Sequence, residues 1–407
     1  MSILYFITYT LFSLGKQIMN FTIILKDIAK TIFKNSESIF QLDIKKQEQI
    51  LNAFPKPKDL FERSYFQYKC QTKKQSALLV TAQNIMALTL LPIYYIKLAL
   101  ARIDILQLAG ENCAVFLTSG ITIQTIPECL SKEYNEIIPC KIAEEDMNIG
   151  KQEKNLLYKL FIRYWYSPYF IFKCMLKIGM YASIIEKFNP KAIITCNEYS
   201  YTSSVLTEYC RMRGIEHINV MHGEKLFNIR DSFFEYERYY VWDEHYIILL
   251  TDLRADNKQF RIAIPPSVIL DCKNNQEQLY DYTYYLAGEK TRNLLTIRNL
   301  LLTTGVPSSR ICIRYHPSYC NANEIMRIYK GFHIESPTEV PLNISLSRTK
   351  YPVSLYSTVL YQAYESGKDI IIDDITDNVK YKKLKELRYI MLEKPHGKLS
   401  EHIGNAR

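Results

Sequence analysis

The sequence predicts an α/β protein with two Rossmann-like domains and a cleft between them. Short apolar runs of strand length alternate with helical segments, and the links between them are short. Such strand–helix–strand units favour parallel sheets with right-handed crossovers. The chain has 407 residues, which is too long for one typical domain, and two is the natural division.

Composition and charge place the chain among globular proteins. Hydrophobic residues make up 48% of it, with 13 Gly and 15 Pro. The net charge of +9 favours an anionic partner, whether substrate, lipid or nucleic acid, without choosing among them. None of the ten cysteines forms a C-x-x-C pair, so they are interpreted as reduced and mostly buried, in a cytoplasmic protein without a zinc site.

The chain divides into three predicted parts. Residues 1–70 form an N-terminal helical segment, whose uncharged start favours a buried or interfacial helix over a membrane span. Residues 71–250 are predicted to form a first Rossmann-like domain, and residues 275–390 a second one.

The first domain begins with an apolar run, Ala77–Thr81, predicted to be a buried strand. Ile85–Leu108 is predicted to be a long core helix rather than a membrane span, because it contains charged residues. A long aromatic helical region, 155–188, is predicted to break at Ser167-Pro168. Its interleaved lysines fit a surface lying on a bilayer and a solvated face equally well. The other predicted elements are strands Cys113–Thr118, Lys191–Asn197, Ile215–Met221 and Tyr239–Trp242, and helix Ser203–Arg213.

The second domain repeats this rhythm. Its predicted strands are Tyr282–Leu286, Arg310–Tyr315 and Asp369–Ile372, and its predicted helices are Thr291–Leu302 and Ser354–Gly367. Ligands bind outside the carboxyl ends of strands in open parallel sheets. Residues that follow predicted strands are therefore the first candidates for a site.

Four predicted strands end in polar residues. The pairs are Asn197-Glu198, His222-Gly223, Asp243-Glu244 and His316-Pro317. Proline cannot donate to a sheet ladder, so His316 is expected at a strand end, where it could face a phosphate or nucleotide. The alternative is an ordinary His-Pro turn.

A Ser/Thr pair follows about 40 residues later. Ser357 and Thr358 lie near a predicted helix start, where free backbone N–H groups and hydroxyls can bind an anion. The alternative is simple N-capping by Ser354 or Ser357.

Candidates for a proton acceptor come from the first domain. His222 precedes a glycine that lets a ligand approach, and it could act as a base or bind a phosphate. Glu198 and Glu224 are the carboxylates best placed to deprotonate a hydroxyl, although each could be a solvated loop charge.

These features resemble the two-domain (GT-B) glycosyltransferases, and more narrowly the bacterial lipooligosaccharide and capsule sialyltransferases. Those enzymes share a His-Pro motif and a downstream Ser/Thr motif that serve the CMP moiety of CMP-sialic acid. The matching positions are His316 with Pro317, and Ser357 with Thr358. The stretch Tyr285–Glu289, which contains Gly288, is similar to the strand and Gly turn that opens their second domain.

This resemblance implies a metal-independent transferase without a cofactor, acting on a nucleotide sugar, CMP-linked, and a surface glycan or glycolipid. It implies a cytoplasmic protein, with peripheral contact to the inner membrane as an option. The acidic pair followed by Gly that supplies the base in those families is missing, so Glu198, His222 and His316 are the catalytic candidates.

Two other functions stay open. The unit from Asn197 to Gly223 is similar to capsule and teichoic-acid transferases, so transfer of glycerophosphate or another phospho-polyol is one alternative. A non-catalytic, membrane-apposed scaffold is the other. The sequence contains neither the dinucleotide-binding glycine motif nor the usual RNA-binding aromatic motif, and nucleic acid is not an expected partner.

Overall fold

The protein contains two six-stranded, all-parallel sheets with helices packed on them, which confirms the predicted α/β fold with two Rossmann-like domains. The computed structural model describes residues 43–73, 75–101, 110–118, 120–141, 147–272 and 277–403. Of the predicted N-terminal helical segment, residues 1–42 lie outside the described residues. Residues 44–407 form one compact unit.

The strands alternate with helices along the chain. The strands are β1 Cys113–Leu117, β2 Glu136–Cys140, β3 Ala192–Thr195, β4 Glu216–Val220, β5 Arg238–Val241, β6 Phe260–Ile262, β7 Tyr280–Tyr285, β8 Ile311–Arg314, β9 His333–Glu335, β10 Thr349–Ser354, β11 Ile371–Ile372 and β12 Gly397–Lys398. The α-helices are α1 Ile44–Asn52, α2 Leu60–Thr72, α3 Ala77–Leu100, α4 Glu128–Ser131, α5 Lys151–Tyr164, α6 Pro168–Phe188, α7 Ser203–Met212, α8 Glu244–Asp252, α9 Thr291–Leu302, α10 Ala322–Ile328, α11 Leu342–Ser347, α12 Thr358–Glu365, α13 Asn378–Glu386 and α14 Leu399–Ile403.

The first sheet has the strand order β2-β1-β3-β4-β5-β6. Its central strands are fully buried because helices cover both faces, as in other doubly wound sheets. The main apolar core lies between the sheet and α6, whose predicted break at Ser167-Pro168 is confirmed. A smaller apolar cluster fills the opposite face of the sheet.

The predicted strand Ala77–Thr81 is wrong, because these residues begin the 24-residue helix α3. Ser76 caps this helix by accepting the Leu79 N–H at 3.3 Å. The expected core position is also wrong, since only 11% of the apolar window of α3 is buried. The apolar run Ala77–Thr81 fits a helix as well as a strand, and the N-cap at Ser76 marks it as the start of a helix. Residues 102–108 of the predicted helix lie outside the described residues.

The second sheet has the strand order β9-β8-β7-β10-β11-β12. Counted along the chain, this is the 3-2-1-4-5-6 order of dinucleotide-binding domains, and its topological switch point lies between β7 and β10. Strand β10 was not predicted from the sequence: Ser354, expected to start a helix, ends this strand instead, and the helix begins at Thr358.

The segment after α13 joins the two domains. The Phe227 N–H donates to the Leu387 carbonyl at 2.9 Å, and Lys394 forms an ion pair with Asp243 at 2.6 Å. The chain then returns to the second sheet as β12. The loops that follow β4 and β5 of the first sheet therefore contact the segment that leads to β12 of the second sheet.

Candidate functional site

The carboxyl end of β4 meets the start of α12 across the boundary between the domains. A Cβ atom built on Gly223 would lie 3.9 Å from the hydroxyl oxygen of Thr358. The His222-Gly223 turn of the first domain therefore faces the predicted Ser/Thr pair of the second. Nearby, Trp242 and Tyr361 stack across the same boundary with ring centroids 5.4 Å apart.

The start of α12 lies beside the switch point of the second sheet. Ser357 caps the helix, because its hydroxyl oxygen accepts the Val359 N–H at 3.3 Å, so the N-capping alternative describes this residue. Thr358 is the first helical residue, and its hydroxyl points toward Gly223. Backbone N–H groups of the first turn and the helix dipole favour an anion at this end.

His316 follows β8 at the same edge of the sheet. The Ser318 N–H donates to its Nδ1 at 3.0 Å, and the ring stacks on Tyr319 at a centroid distance of 4.3 Å. An imidazole whose Nδ1 accepts a hydrogen bond carries its proton on Nε2 when neutral. Burial lowers the pKa of His316, so the neutral form dominates at pH 7. His316 can therefore donate a hydrogen bond from Nε2, while Pro317 is exposed in the turn.

Gly288 forms the turn after β7, between His316 and Ser357. Its φ is +95°, and a Cβ atom there would lie 3.0 Å from Tyr319 Cβ. Only glycine satisfies both the backbone angle and this close approach. Neighbouring strands are about 4.8 Å apart, so the ends of β8 and β10 on either side of Gly288 are about 10 Å apart.

Two residues at this edge were not singled out from the sequence. Tyr356 precedes the α12 cap, and the Lys380 Nζ lies 5.7 Å from the centroid of its ring. Burial lowers the pKa of Lys380, although Glu289 opposes this effect. In the sequence, only its position next to Ser357 points to Tyr356. Lys380 is one of several lysines in a basic helix, and nothing in the sequence distinguishes it from the others.

His222 is exposed at the edge of the first sheet. Surrounding protein lowers its pKa, and the positive charge of Lys225 lowers it further. The imidazole is therefore neutral at pH 7 and can accept a proton. Its position beside Gly223 places it next to the α12 start of the second domain.

Glu198 is fully buried, at 0% exposure, beneath the His222 turn. Its carboxylate forms an ion pair with Lys225 and accepts a hydrogen bond from Asn219 Nδ2 at 3.2 Å. Burial is the largest single influence on Glu198 and raises its pKa, but the charge and hydrogen bond of Lys225, together with His222, lower the pKa overall. A buried, paired carboxylate of this kind is a poor proton acceptor, and the geometry favours a positioning role.

Glu224 lies in the same turn and has one carboxylate oxygen without a hydrogen bond among the described residues. Its Oε2 accepts the Tyr246 hydroxyl at 2.9 Å, whereas its buried Oε1 has no hydrogen-bond partner within the described ranges. Burial raises the pKa of Glu224 to about 8. This carboxyl is therefore mostly protonated at pH 7.

The Asp243-Glu244 strand end has a structural use. Asp243 caps α8 by accepting the His245 N–H at 2.8 Å, and its other oxygen pairs with Lys394. His245 also contacts Glu393 at 2.9 Å. These residues hold the two domains together.

Within the described part of the chain, one side-chain cluster has the chemistry of metal ligands. Cys312, His333 and Glu335 offer ligand atoms within 4.8 Å of one another on β8 and β9. Glu335 is paired with the Arg314 guanidinium at 3.4 Å, and burial raises the pKa of the Cys312 thiol. Both features disfavour binding of a cation at this cluster.

No protein-family model matches the sequence, and a sequence search finds no matching curated protein. Among solved structures, the chain is similar to a glycotransferase of kitacinnamycin, with 10% identity, 72% of this chain and 90% of the other covered, and a TM-score of 0.41. A UDP-GlcNAc 2-epimerase from Neisseria meningitidis, bound to UDP-GlcNAc, has 13% identity, coverage of 64% and 81%, and a TM-score of 0.41. A putative UDP-N-acetylglucosamine 2-epimerase from Listeria monocytogenes has 10% identity, coverage of 73% and 87%, and a TM-score of 0.43. At these values the likenesses assign no activity and no ligand to this chain.

Proposed function

We propose that the protein is a glycosyltransferase that moves a sugar from a nucleotide-activated donor to a glycan or glycolipid acceptor. The observation that carries the proposal is the meeting of the His222-Gly223 turn with Thr358. It would bring His222, which is neutral at pH 7, close to the start of α12, a position suited to an anion. Donor and acceptor chemistry would then share one cleft.

The donor would lie on the second domain, across its switch point. The first turn of α12 would face the donor phosphate, and Lys380 would add a positive charge nearby. His316 would donate its Nε2 proton in a hydrogen bond to a phosphate oxygen. These preorganised donors stabilise the departing nucleotide as negative charge develops on it.

The acceptor would be activated from the first domain. His222, neutral at pH 7, would take the proton of an acceptor hydroxyl as its oxygen bonds to the anomeric carbon and the bond to the phosphate breaks. The ion pair of Glu198 and Lys225 would hold the turn that carries His222. Glu224 could accept the proton only after losing its own, which requires a pH above about 8.

The nature of the donor rests on the family resemblance of His316-Pro317 and Ser357-Thr358. We propose a CMP-linked donor, with sialic acid as the first sugar to test and a bacterial lipooligosaccharide or capsule as the first acceptor. A single phosphate can be neutralised by a helix start and side chains alone. The proposal therefore needs neither a metal nor a cofactor.

Isothermal titration calorimetry with CMP, CDP, UDP and GDP tests the proposal. We expect saturable binding of CMP that is tighter than binding of the other three. If UDP or GDP binds more tightly than CMP, the proposed transferase activity stands, but the donor carries that nucleotide instead of CMP. Absence of binding for all four would overturn the proposal and favour a non-catalytic scaffold. Phosphorus in a polymeric product would indicate phospho-polyol transfer instead.

A further inference from the structure

The helix α3 exposes an apolar face along its whole length. It is long and apolar enough to cross a membrane, as is α6, but α6 is 72% buried whereas the apolar window of α3 is 11% buried. The exposed fractions of the large apolar side chains on this face range from 46% to 81%: Leu78, Ile85, Leu88, Ile93, Ile96 and Leu100. Exposed apolar surface of this extent marks an interaction site.

The helix α5 and the turn that follows it extend this surface with aromatic side chains. Tyr158, Phe161, Trp165 and Tyr166 are each more than half exposed. Between α5 and α3 lies a groove of about 210 Å³ that is lined by Tyr95, Tyr158 and Phe161 among others. The two helices therefore share one continuous face, here named the α3–α5 face. Trp and Tyr are the residues enriched at membrane–water interfaces.

The exposed charges of α3 and α5 are basic. Residues 77–101 and 151–166 contain five basic side chains, which are Lys97, Lys151, Lys154, Lys159 and Arg163, and one acidic side chain, Glu153, which is buried and paired with Arg213. Arg163 is occupied by Asp59, which leaves the lysines to give the face a positive potential. Basic residues beside an apolar, aromatic surface complement anionic lipid headgroups.

We propose that the α3–α5 face docks on the anionic surface of a phospholipid bilayer, with α3 lying in the membrane plane. The opposite side of α3 is packed on the domain, with Gln83, Ala87 and Leu98 buried. A helix held in this way cannot leave the domain to span the bilayer without exposing that side. An in-plane arrangement buries the apolar face and keeps the packed side in place.

Two other occupants fit the charges less well. In a symmetric dimer each copy would present the same patch, so Lys97, Lys154 and Lys159 would face like charges. Residues 1–42 are apolar, but they carry four lysines against Asp27 and Glu37, so they too are cationic. Anionic lipid alone complements both the apolar face and its charge.

The fluorescence of the full chain with lipid vesicles gives a direct test. Of the two tryptophans, Trp165 is 65% exposed and Trp242 is 3% exposed. Vesicles of phosphatidylcholine with 30% phosphatidylglycerol should shift the emission to shorter wavelength and should carry the protein on flotation. The shift should disappear in Trp165→Phe. Vesicles of phosphatidylcholine alone should bind about tenfold or more weakly, since each lysine near an anionic surface contributes about a fivefold factor.

Variants with matched controls locate the contact. Ile85→Glu with Ile96→Glu should reduce vesicle partitioning by about tenfold or more, because two exposed isoleucines are no longer buried in lipid. Ile262→Glu with Ile269→Glu changes the same residue type at similar exposure outside the face, and should leave partitioning unchanged. Lys154→Gln with Lys159→Gln should reduce binding to the anionic vesicles only.

Several outcomes would overturn the docking proposal. One is that the protein neither floats with the vesicles nor shifts its emission. Another is that the Ile85/Ile96 variant binds vesicles as well as the Ile262/Ile269 control does. A concentration-dependent dimer that the Ile85/Ile96 variant abolishes, with no vesicle binding, would assign the face to a second copy. Protection of Trp165 from an aqueous quencher without lipid would assign it to the chain's own residues 1–42. Because the readout is lipid binding, it is independent of the proposed transferase activity.

Discussion

Gly223 of the first domain lies against Thr358 of the second domain. A Cβ atom placed on Gly223 would lie 3.9 Å from the hydroxyl oxygen of Thr358. This relationship joins the carboxyl end of β4 to the start of α12, so residues of both domains lie at the proposed site. It also separates the proposed roles. The groups suited to a phosphate lie on the second domain, and the neutral imidazole suited to a proton lies on the first.

We expect His316→Ala to lower turnover by about two orders of magnitude or more, the size typical of a lost charge-stabilising donor. The reason is the loss of the Nε2–H group that the Ser318 contact fixes in place. Steady-state kinetics with the nucleotide sugar identified by calorimetry measures the effect. His333→Ala, on the neighbouring strand β9, is the matched control and should keep normal turnover. Near-normal turnover of His316→Ala would refute its assignment to the donor.

We expect the pH profile of kcat/KM to identify the base. The pKa of His222 lies below its ordinary value of 6.5, so activity should fall as the pH drops below that value and the imidazole becomes protonated. His222→Asn should lower turnover by about two to four orders of magnitude and remove this acid limb. If the acid limb instead lies near pH 8, Glu224, with its pKa of about 8, is the base.

We expect Glu224→Gln to gain stability over the native protein as the pH rises from 5 to 8. The folded state keeps a proton on Glu224 up to about pH 8, whereas the unfolded chain releases it near 4.5, so rising pH destabilises the native protein. Glutamine cannot lose this proton. The difference in the free energy of unfolding should grow by about 1 kcal/mol per pH unit or less. Urea unfolding measures it, with the exposed Glu244→Gln as the control for loss of one charge, and a pH-independent difference would contradict it.

We expect Glu198→Gln to destabilise the fold by about 3 to 5 kcal/mol, because it leaves Lys225 buried without its counter-charge. Glu198→Gln with Lys225→Met should recover most of this loss. The exposed pair Glu128–Lys132 is the matched control, and Glu128→Gln should cost about 1 kcal/mol or less. Denaturant unfolding provides the values. If the Glu198→Gln variant is as stable as the native protein but inactive, the stability prediction is wrong and Glu198 is the base.

We expect Gly288→Ala to weaken nucleotide binding. Gly288 and Gly331 have nearly equal φ values, +95° and +97°, but only Gly288 has a neighbour against the added methyl group, namely Tyr319. Gly331→Ala should therefore show only the backbone cost of about 1 to 2 kcal/mol in stability. Gly288→Ala should add a shift of the Tyr319–His316 stack and a higher Kd for the nucleotide. Equal Kd values for both variants would argue against Gly288 as part of the donor site.

The strand ends show how far sequence reasoning reached. The predictions of β3, β4, β5, β7 and β8 depended on short apolar runs bounded by turn residues, and such runs are buried in parallel sheets wherever they occur. The strand β10 was missed because its sequence, Thr349–Ser354, contains a proline and a lysine and reads as a loop. Helix α3 was misplaced because an apolar run fits both a helix and a buried strand, and only its cap distinguishes them.

The sequence by itself determined the fold class, since the alternation of apolar runs and helices leaves few other ways to bury them. It also placed polar residues at strand ends. Only the tertiary structure decided what each of these residues can do, because pKa, burial and pairing depend on neighbours far away in the chain. Lys225 pairs with Glu198, Lys394 holds Asp243, and Gly223 reaches Thr358. The same reason applies to α3, whose apolar sequence suited a core and whose position in the fold leaves it exposed.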